Sequence, residues 1–238
     1  MRMRFDLCHS HSVAYRLVTE PCEILFAPST PFIYKSCTLL EPVSEDGTLT
    51  FMCRPNNAYQ RLFLATLSSP SIPDLLVLVK LVPRSYSCNV HKHMAKKGFT
   101  PKLYGYTEVE GAPTAYVMEY LDPCAWQTLH QFLKSDATAV DRTQLQGALD
   151  GIIEMLESHN YVHGDLQSNN IMIRTDVIDK SVDLRVIDFD WAGEAGRVYY
   201  SAERNREIQW PGEAGGPIEQ DHDSKMVDIW MKQETTVE

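Results

Sequence analysis

Long apolar runs are missing from this chain of 238 residues. No window approaches the about eighteen uninterrupted apolar residues that a membrane-spanning helix needs. The basic first four residues are followed by Asp6, His9 and His11 rather than by the apolar segment of a secretion signal. Apolar residues make up 44% and charged residues 23% of the chain, which is ordinary for a soluble domain. We therefore expect a soluble, cytoplasmic protein without a membrane partner.

Basic residues are too few for a nucleic-acid surface. The chain has only 22 Lys and Arg against 32 Asp and Glu, a net charge of −10, whereas nucleic-acid binding needs a basic face. Residues 1–100 carry 11 basic and 7 acidic residues, and residues 101–238 carry 11 and 25. This asymmetry fits two lobes of different character with an anionic ligand between them, and equally fits an acidic surface that only aids solubility.

Paired cysteines are lacking as well. The six cysteines include no Cys-x-x-Cys pair, and a chain of this length buries a core without disulfides. We expect reduced thiols, as in cytosolic proteins. The pairs His9/His11 and His91/His93 have no second cluster at the spacing of zinc ligands, so a zinc site is not favoured.

The order of predicted elements in the first half begins with an irregular extension. Residues 1–44 are broken by four prolines and are predicted to lack regular structure. After them, β-prone runs separated by turn residues predict strands, and a short helix ends before Gly98, a residue that favours a left-handed cap. The predicted strands are 48–53, 61–67, 75–82, 102–108 and 113–120, with the helix over 87–97.

The second half is predicted to begin with helices over 126–133 and 141–158. In the longer one, apolar residues recur at helical spacing and form one buried stripe. The stripe comprises Leu145, Ala148, Leu149, Ile152, Ile153 and Leu156. A hairpin of 171–174 and 182–187 follows, and a last helix lies around 223–231. Strands followed by helices and a hairpin indicate an α+β protein with two lobes.

One stretch between the long helix and the hairpin contains residues of the kind that catalyse reactions. It contains His163-Gly164-Asp165, with Asn170 five residues after the aspartate, and Asp188-Phe189-Asp190 follows the hairpin. Phosphoryl transfer needs one carboxylate to orient the attacking hydroxyl, and an amide and a second carboxylate to hold Mg²⁺ on the phosphates. The three groups occur here in that order.

These motifs resemble the catalytic loop and metal-binding motif of the protein-kinase-like superfamily. His-Gly-Asp, in place of His-Arg-Asp, is similar to aminoglycoside phosphotransferases, RIO-type kinases and other atypical kinases. The run 186–193, with the Trp-Pro-Gly at 210–212, resembles short kinase-like proteins of mushroom-forming fungi. The resemblance implies that Asp165 is the catalytic carboxylate, that Asn170 and Asp188 bind the metal, and that the cofactors are ATP and Mg²⁺.

Two upstream segments resemble parts of a kinase small lobe. Residues 76–82 resemble the strand whose lysine, here Lys80, binds the nucleotide phosphates and assists catalysis. The alternative is an edge-strand lysine that protects against aggregation. Residues 116–121 resemble the hinge between lobes, where the resemblance implies that the backbone of Glu119 and Leu121 contacts adenine.

Two departures from the family pattern concern the small lobe. No glycine occurs between Gly47 and Gly98, so the loop 54–60 lacks the residues that let a backbone approach phosphates closely. The predicted helix over 87–97 contains no acidic residue to orient Lys80. ATP binding is expected to be weakened by the loop and not abolished.

Further departures concern the large lobe. Only 50 residues follow Asp188, without an Ala-Pro-Glu motif, so the resemblance implies a truncated lobe. We expect the segment 210–223 to dock a short substitute helix beneath the catalytic loop. Gln167 stands where Ser/Thr kinases usually have lysine, which weakens the case for protein substrates.

Together these observations predict an α+β, two-lobed kinase-like fold with a truncated C-terminal lobe. Its parts are an extension over 1–44, a small lobe and hinge over 45–121, and a short large lobe over 122–238. The leading function is Mg-ATP-dependent phosphotransfer to Ser or Thr of a protein. One alternative is a pseudokinase that acts as a binding or regulatory module, which the missing glycines and helix carboxylate favour. The other is a small-molecule kinase, although such enzymes normally carry a larger substrate lobe.

Overall fold

Strands and helices separate into two units in the computed structural model. The structure describes residues 34–40, 45–53, 61–83, 85–136, 141–177 and 181–234. Among them, unit 1 comprises the described residues up to Ser85 together with Pro101–Leu121, and unit 2 comprises Tyr86–Thr100 with the described residues from Asp122 onward. The glycine-free loop 54–60 and residues 1–33 and 41–44 of the extension lie outside the described residues.

Unit 1 is a closed antiparallel barrel of six strands. The strands are β1 (Ser36–Leu39), β2 (Asp46–Cys53), β3 (Leu62–Ser68), β4 (Leu75–Val82), β5 (Leu103–Thr107) and β6 (Thr114–Glu119). Around the barrel their order is β1-β2-β3-β4-β6-β5, and β1 closes the ring by pairing with both β2 and β5. Alternating apolar side chains fill the interior, among them Phe63, Leu67, Val77, Val79 and Val117.

The strand β1 corrects the expectation that residues 1–44 are irregular throughout. Cys37 and Leu39 are buried in the barrel, and the residues between and before them are exposed. Just upstream, the buried Tyr34 donates a hydrogen bond of 2.6 Å to the carbonyl of Pro113. A strand of four residues is too short for a reliable period-2 pattern, and its partner β5 lies far along the chain.

Unit 2 contains the helices of the described chain. They are α1 (Cys88–Ala95), α2 (Leu129–Asp136), α3 (Arg142–Glu157) and α4 (His222–Glu234). Short strands join them, namely β7 (Trp126–Thr128), β8 (Tyr161–Val162), β9 (Ile171–Arg174), β10 (Leu184–Val186) and β11 (Gly193–Glu194). Strands β9 and β10 form the predicted hairpin.

The long helix α3 provides most of its apolar stripe to the core of unit 2. Asp141 caps its start by accepting a 2.8 Å hydrogen bond from the N–H of Thr143. Four residues of the predicted stripe are buried, while Ala148 and Ile153 are only half-buried and pack against the cluster. The four are Leu145, Leu149, Ile152 and Leu156.

The helix predicted over 126–133 is wrong in its first three residues. Trp126 and Thr128 pair with Arg174 and Met172 of β9, so this segment is the strand β7. The helix α2 begins only afterwards, where Thr128 Oγ1 accepts a hydrogen bond from the N–H of Gln131. Pairing with a distant strand therefore overrides the local preference, as it commonly does for short segments.

Helix α1 lies in a range that the sequence assigns to the small lobe, and its contacts are with unit 2. Val90 and Met94 are buried in the same apolar cluster as the α3 stripe. As predicted, a left-handed glycine follows the helix, with Gly98 at φ 77°.

No helix of the described residues has the length and apolar character to span a membrane. The described thiols Cys37, Cys88 and Cys124 are free.

Candidate active site

The candidate catalytic loop joins β8 to β9 in unit 2. Its backbone folds back on itself, because the N–H of Gln167 donates to the carbonyl of Asp165 (2.9 Å) and the N–H of Asn170 donates to the carbonyl of Gln167 (2.9 Å). The last bond closes a 3₁₀ turn over Ser168–Asn170. This tight path brings the side chains of Asp165 and Asn170 together.

The side chain of Asn170 is fixed by two hydrogen bonds to Asp165. Its Nδ2 donates to the carbonyl oxygen of Asp165 at 2.9 Å and to Oδ2 of the same residue at 2.8 Å. Its Oδ1 is buried and accepts no hydrogen bond from the described residues. A buried amide oxygen without a partner is uncommon and needs an explanation. Such an oxygen is a ligand that Mg²⁺ accepts.

Asp188 lies directly after the hairpin, beside this loop. The N–H of Ile187 donates to the carbonyl of Asn170 (2.9 Å), and the carbonyl of Ile187 lies 3.0 Å from Nε2 of His163. Asp188 itself has φ 71°. Residues other than glycine rarely adopt this left-handed conformation, and strain of this kind concentrates at functional sites.

Asp165 is half-buried in the catalytic loop. Burial raises its pKa from 3.8 to about 7, and the negative charges of Asp188 and Asp223 act in the same direction. Hydrogen bonds from the side-chain amides of Gln167 and Asn170 oppose the rise. A carboxyl that titrates near neutral pH can accept a proton from an approaching hydroxyl.

Helix α4 holds the loop from its other side through Asp223. The buried carboxylate accepts hydrogen bonds from the backbone N–H groups of His163 (2.6 Å) and Gly164 (2.9 Å). Nε1 of Trp230 donates to the carbonyl of Leu166 at 3.0 Å. A late helix thus contacts the loop, but it spans His222–Glu234 and not the segment 210–223 to which the sequence assigned it.

Asp223 carries a shifted pKa for the same reason. Burial raises it to about 6, the two backbone N–H groups lower it, and the charge of Glu157 raises it. Its role is structural, because both of its oxygens are used by the backbone of the loop.

Phe189 anchors the residue beside Asp188. Its buried ring stacks on the imidazole of His91 from α1, with ring centres 4.7 Å apart and planes 9° apart. The ring of His163 meets it edge-on at 5.1 Å, and the N–H of Ser87 donates to its carbonyl at 3.2 Å. These contacts connect α1 to the catalytic loop within unit 2.

The remaining predicted site residues lie in unit 1. Lys80 is half-buried on β4, opposite Leu62 of β3 and Tyr116 of β6. Because β4 has a neighbour on both sides, the interpretation of Lys80 as an edge-strand lysine is wrong.

The predicted hinge residues follow β6 in the same unit. The N–H of Glu119 donates to the carbonyl of Lys102 at 2.8 Å, and Glu119 Oε2 accepts a hydrogen bond from the N–H of Lys102 at 3.0 Å. The backbone N–H and the side chain of Glu119 are thus both bonded to the backbone of Lys102. Leu121 is half-buried just beyond the end of the strand.

A profile of the protein tyrosine and serine/threonine kinases matches residues 86–232. The chain belongs to this kinase family. The matched range includes Asp165, Asn170 and Asp188 and begins after Lys80.

Among solved structures, this kinase-family chain is similar to the kinase PK-1 of the Cydia pomonella granulovirus. The TM-score is 0.52 at 16% identity, over 76% of this chain and 66% of the viral one. This likeness shows the kinase-like fold, and the chain spans slightly less than two thirds of the viral protein. No curated protein matches the sequence.

The residues present fit a magnesium site of the kinase kind. Among the described residues, no group of three or more His, Cys, Asp or Glu side chains is placed to hold a metal. Mg²⁺ bound with a nucleotide needs few protein ligands, because phosphate and water oxygens complete its shell. Asn170 Oδ1 and the Asp188 carboxylate can supply that share.

Two residues that shape this site were not predicted from the sequence. Asp223 and His91 act on the loop from helices far away along the chain, and no local pattern marks His91. The acidic residue at the start of the predicted last helix was the one available signal for Asp223.

Proposed function

We propose that this kinase-family protein transfers the terminal phosphoryl group of Mg-ATP to a Ser or Thr hydroxyl of a protein. The observation that carries the proposal is the pair of Asn170 and Asp165. The side-chain N–H of Asn170 orients the candidate catalytic carboxylate of Asp165. The Oδ1 of the same amide is buried and has no hydrogen-bond partner in the described chain.

Asn170 and Asp188 would hold the metal. Mg²⁺ neutralises charge on the phosphates when it is bound. The Asn170 amide is already immobilised by its two bonds to Asp165, so little reorganisation is needed for its oxygen to act as a ligand.

Asp165 would align the acceptor hydroxyl and take its proton. Oδ2 is held by Asn170 and Oδ1 by Gln167, so the carboxylate has a fixed orientation. Alignment of the reacting oxygen accounts for much of the catalysis in phosphoryl transfer, since the transition state requires little covalent participation by the protein.

The finer parts of the proposal rest on the sequence resemblance. Lys80 would bind the phosphates, and the backbone of Glu119 and Leu121 would contact adenine. The similarity to short kinase-like proteins of mushroom-forming fungi and the cytoplasmic location are further parts of the proposal.

A pseudokinase is the second candidate, and one observation favours it. Helix α1 contains no acidic residue, whereas the resemblance to kinases implies a glutamate in this helix. A protein of this kind would keep the fold, present a binding surface to a partner protein and transfer no phosphate.

The first experiment measures ATP binding by thermal shift, with and without Mg²⁺. A ligand at a hundred times its Kd adds about 2.7 kcal/mol of stability. Asp188→Asn should abolish the Mg²⁺-dependent part of the shift. The matched control is Asp176→Asn, because Asp176 is exposed and its ion pair in the described part of the chain is with Arg174. A Mg²⁺-dependent shift that is unchanged in Asp188→Asn would overturn the metal assignment.

The second experiment separates an enzyme from a pseudokinase by transfer of labelled phosphate from ATP to protein. Asp165→Ala should remove nearly all transfer and leave the affinity for ATP almost unchanged, because Asp165 would contact the acceptor. Transfer that survives in Asp165→Ala contradicts its catalytic role. ATP binding without transfer by the wild type supports the pseudokinase, and the absence of both overturns the proposal.

A further inference from the structure

Three side chains with metal-binding atoms meet on unit 2, away from the candidate active site. Nε2 of His93, on α1, lies 2.9 Å from Sδ of Met155, near the end of α3. The rings of His93 and His159 have centres only 3.8 Å apart. Tyr161 lies beside both rings, at 5.7 and 6.3 Å. The group thus combines two imidazoles with one thioether.

Hydrogen bonds around Ser158 determine which nitrogen of His159 carries the lone pair that can bind a metal ion. The hydroxyl of Ser158 donates to the carbonyl of Met155 at 3.0 Å. Its only hydrogen is then used, so the 2.9 Å contact between Ser158 Oγ and Nδ1 of His159 needs Nδ1 to donate. The neutral ring carries its lone pair on Nε2 in this tautomer. A second-sphere partner that fixes the tautomer is typical of metal-binding histidines.

The chemistry of the ligand atoms favours a soft metal ion. A thioether is a soft ligand that selects Cu(I), and imidazole also suits copper. We propose that His93, Met155 and His159 form a binding site for a soft monovalent cation, Cu(I). The exposed ring of His159 lets the ion enter, and an ion bound there would connect α1 to the end of α3.

The test must report on this site alone, because the six cysteines of the chain also bind soft cations. Protein labelled with ¹³C at its methionine methyls is titrated with Ag(I), a diamagnetic and redox-stable ion of the same charge and softness. The spectrum of Met155→Leu identifies the Met155 methyl. The titration is repeated with Cu(I) under anaerobic conditions.

We expect the Met155 methyl resonance to shift and saturate with both ions. In His159→Gln the same resonance should need at least about tenfold more ion, the smallest loss that follows removal of even an outer-sphere partner. His93→Gln should behave alike. The methyl of Met52, which is exposed on β2 of the barrel, is the internal control and should not shift in parallel.

Either of two results would overturn the proposal. One is a Met155 methyl that stays in place while the thiols saturate. The other is a shift that is equal in the wild type and His159→Gln. Both would mean that His93 and Met155 make only an N–H···S contact. Since His159 is exposed, its variant should fold like the wild type, which amide spectra verify, and it decides the question even if His93→Gln does not fold.

Discussion

The N–H of Gly164 donates a 2.9 Å hydrogen bond to Oδ1 of Asp223, although 59 residues separate the two along the chain. The other carboxylate oxygen accepts from the N–H of His163. Through these bonds α4 sets the path of the backbone immediately before Asp165. The geometry of the candidate site thus depends on a residue that would touch neither nucleotide nor acceptor.

Replacing Asp223 by Asn should lower the free energy of unfolding by about 1–3 kcal/mol, because an amide leaves one buried N–H facing another donor. Urea denaturation measures the loss. Asp221→Asn is the control, since Asp221 is exposed and pairs with Lys225 on the surface, and such a pair contributes about 1 kcal/mol or less. Equal losses in the two variants would contradict the assigned role of Asp223.

Gly164→Ala should destabilise the protein by about 1–3 kcal/mol, the range for strained backbone conformations. Gly164 has φ 79°, and a Cβ there would lie 2.7 Å from Ile218 Cδ1 and 3.2 Å from the carbonyl oxygen of Trp191. Gly147→Ala is the matched control. It lies within α3 with nothing within 4 Å of the added carbon, so it should stabilise by about 0.5–1 kcal/mol. Stabilisation of both variants would contradict the steric conflict expected for a Cβ at Gly164.

The raised pKa of Asp165 predicts a pH profile for phosphotransfer. For the free enzyme, kcat/KM should rise as pH increases through about 7, when the carboxyl loses its proton. Gln167→Leu should shift the rise to higher pH, because the hydrogen bond from Gln167 lowers this pKa. Steady-state rates between pH 5 and 9 measure both profiles. An unmoved midpoint in Gln167→Leu would remove Asp165 as the titrating group.

The same shift predicts how stability depends on pH. At about pH 3 and below, Asp165 is protonated in the folded and the unfolded state, so it does not distinguish them. As pH rises from about 4 to 7, only the unfolded state loses the proton readily, and the free energy of unfolding falls. The stability of the wild type relative to Asp165→Asn should therefore decrease over this range and level off above it. A difference that is constant with pH would show that the carboxyl has its ordinary pKa.

Leu149→Ala should lower the free energy of unfolding by about 2–5 kcal/mol, the usual loss for a buried leucine. Leu149 is fully buried in the core of unit 2. Gln144→Ala, on the exposed face of the same helix, should change stability by no more than about 0.5 kcal/mol. A loss below that value in Leu149→Ala would place the stripe toward solvent.

The sequence predicts the local parts of this molecule well. Asp165 and Asn170 are brought together by a single tight loop, so their spacing alone was informative. The stripe of α3 has a period that many residues repeat, and four of its six members are buried. The profile match supports the protein-kinase-like superfamily that these motifs predicted.

What could not be predicted depends on contacts between distant segments. His91 and Asp223 act on the loop from α1 and α4, and neither has a neighbour in sequence that marks it. The strand β7 exists because Trp126 and Thr128 pair with β9, and without that partner the segment looks helical. Burial of the Asp165 carboxyl, which raises its pKa, is likewise a property of the assembled fold.

The pairing of β1 has a practical consequence for anyone who shortens this protein. A boundary at residue 45, which the sequence alone suggests, would remove strand β1 from the barrel. Backbone amides and carbonyls of β2 and β5 would then be left without partners along two sheet edges, and such edges recruit strands from other molecules. A protein that begins at residue 45 would thus be prone to aggregation, whereas one that retains residues 34–40 would keep the barrel closed.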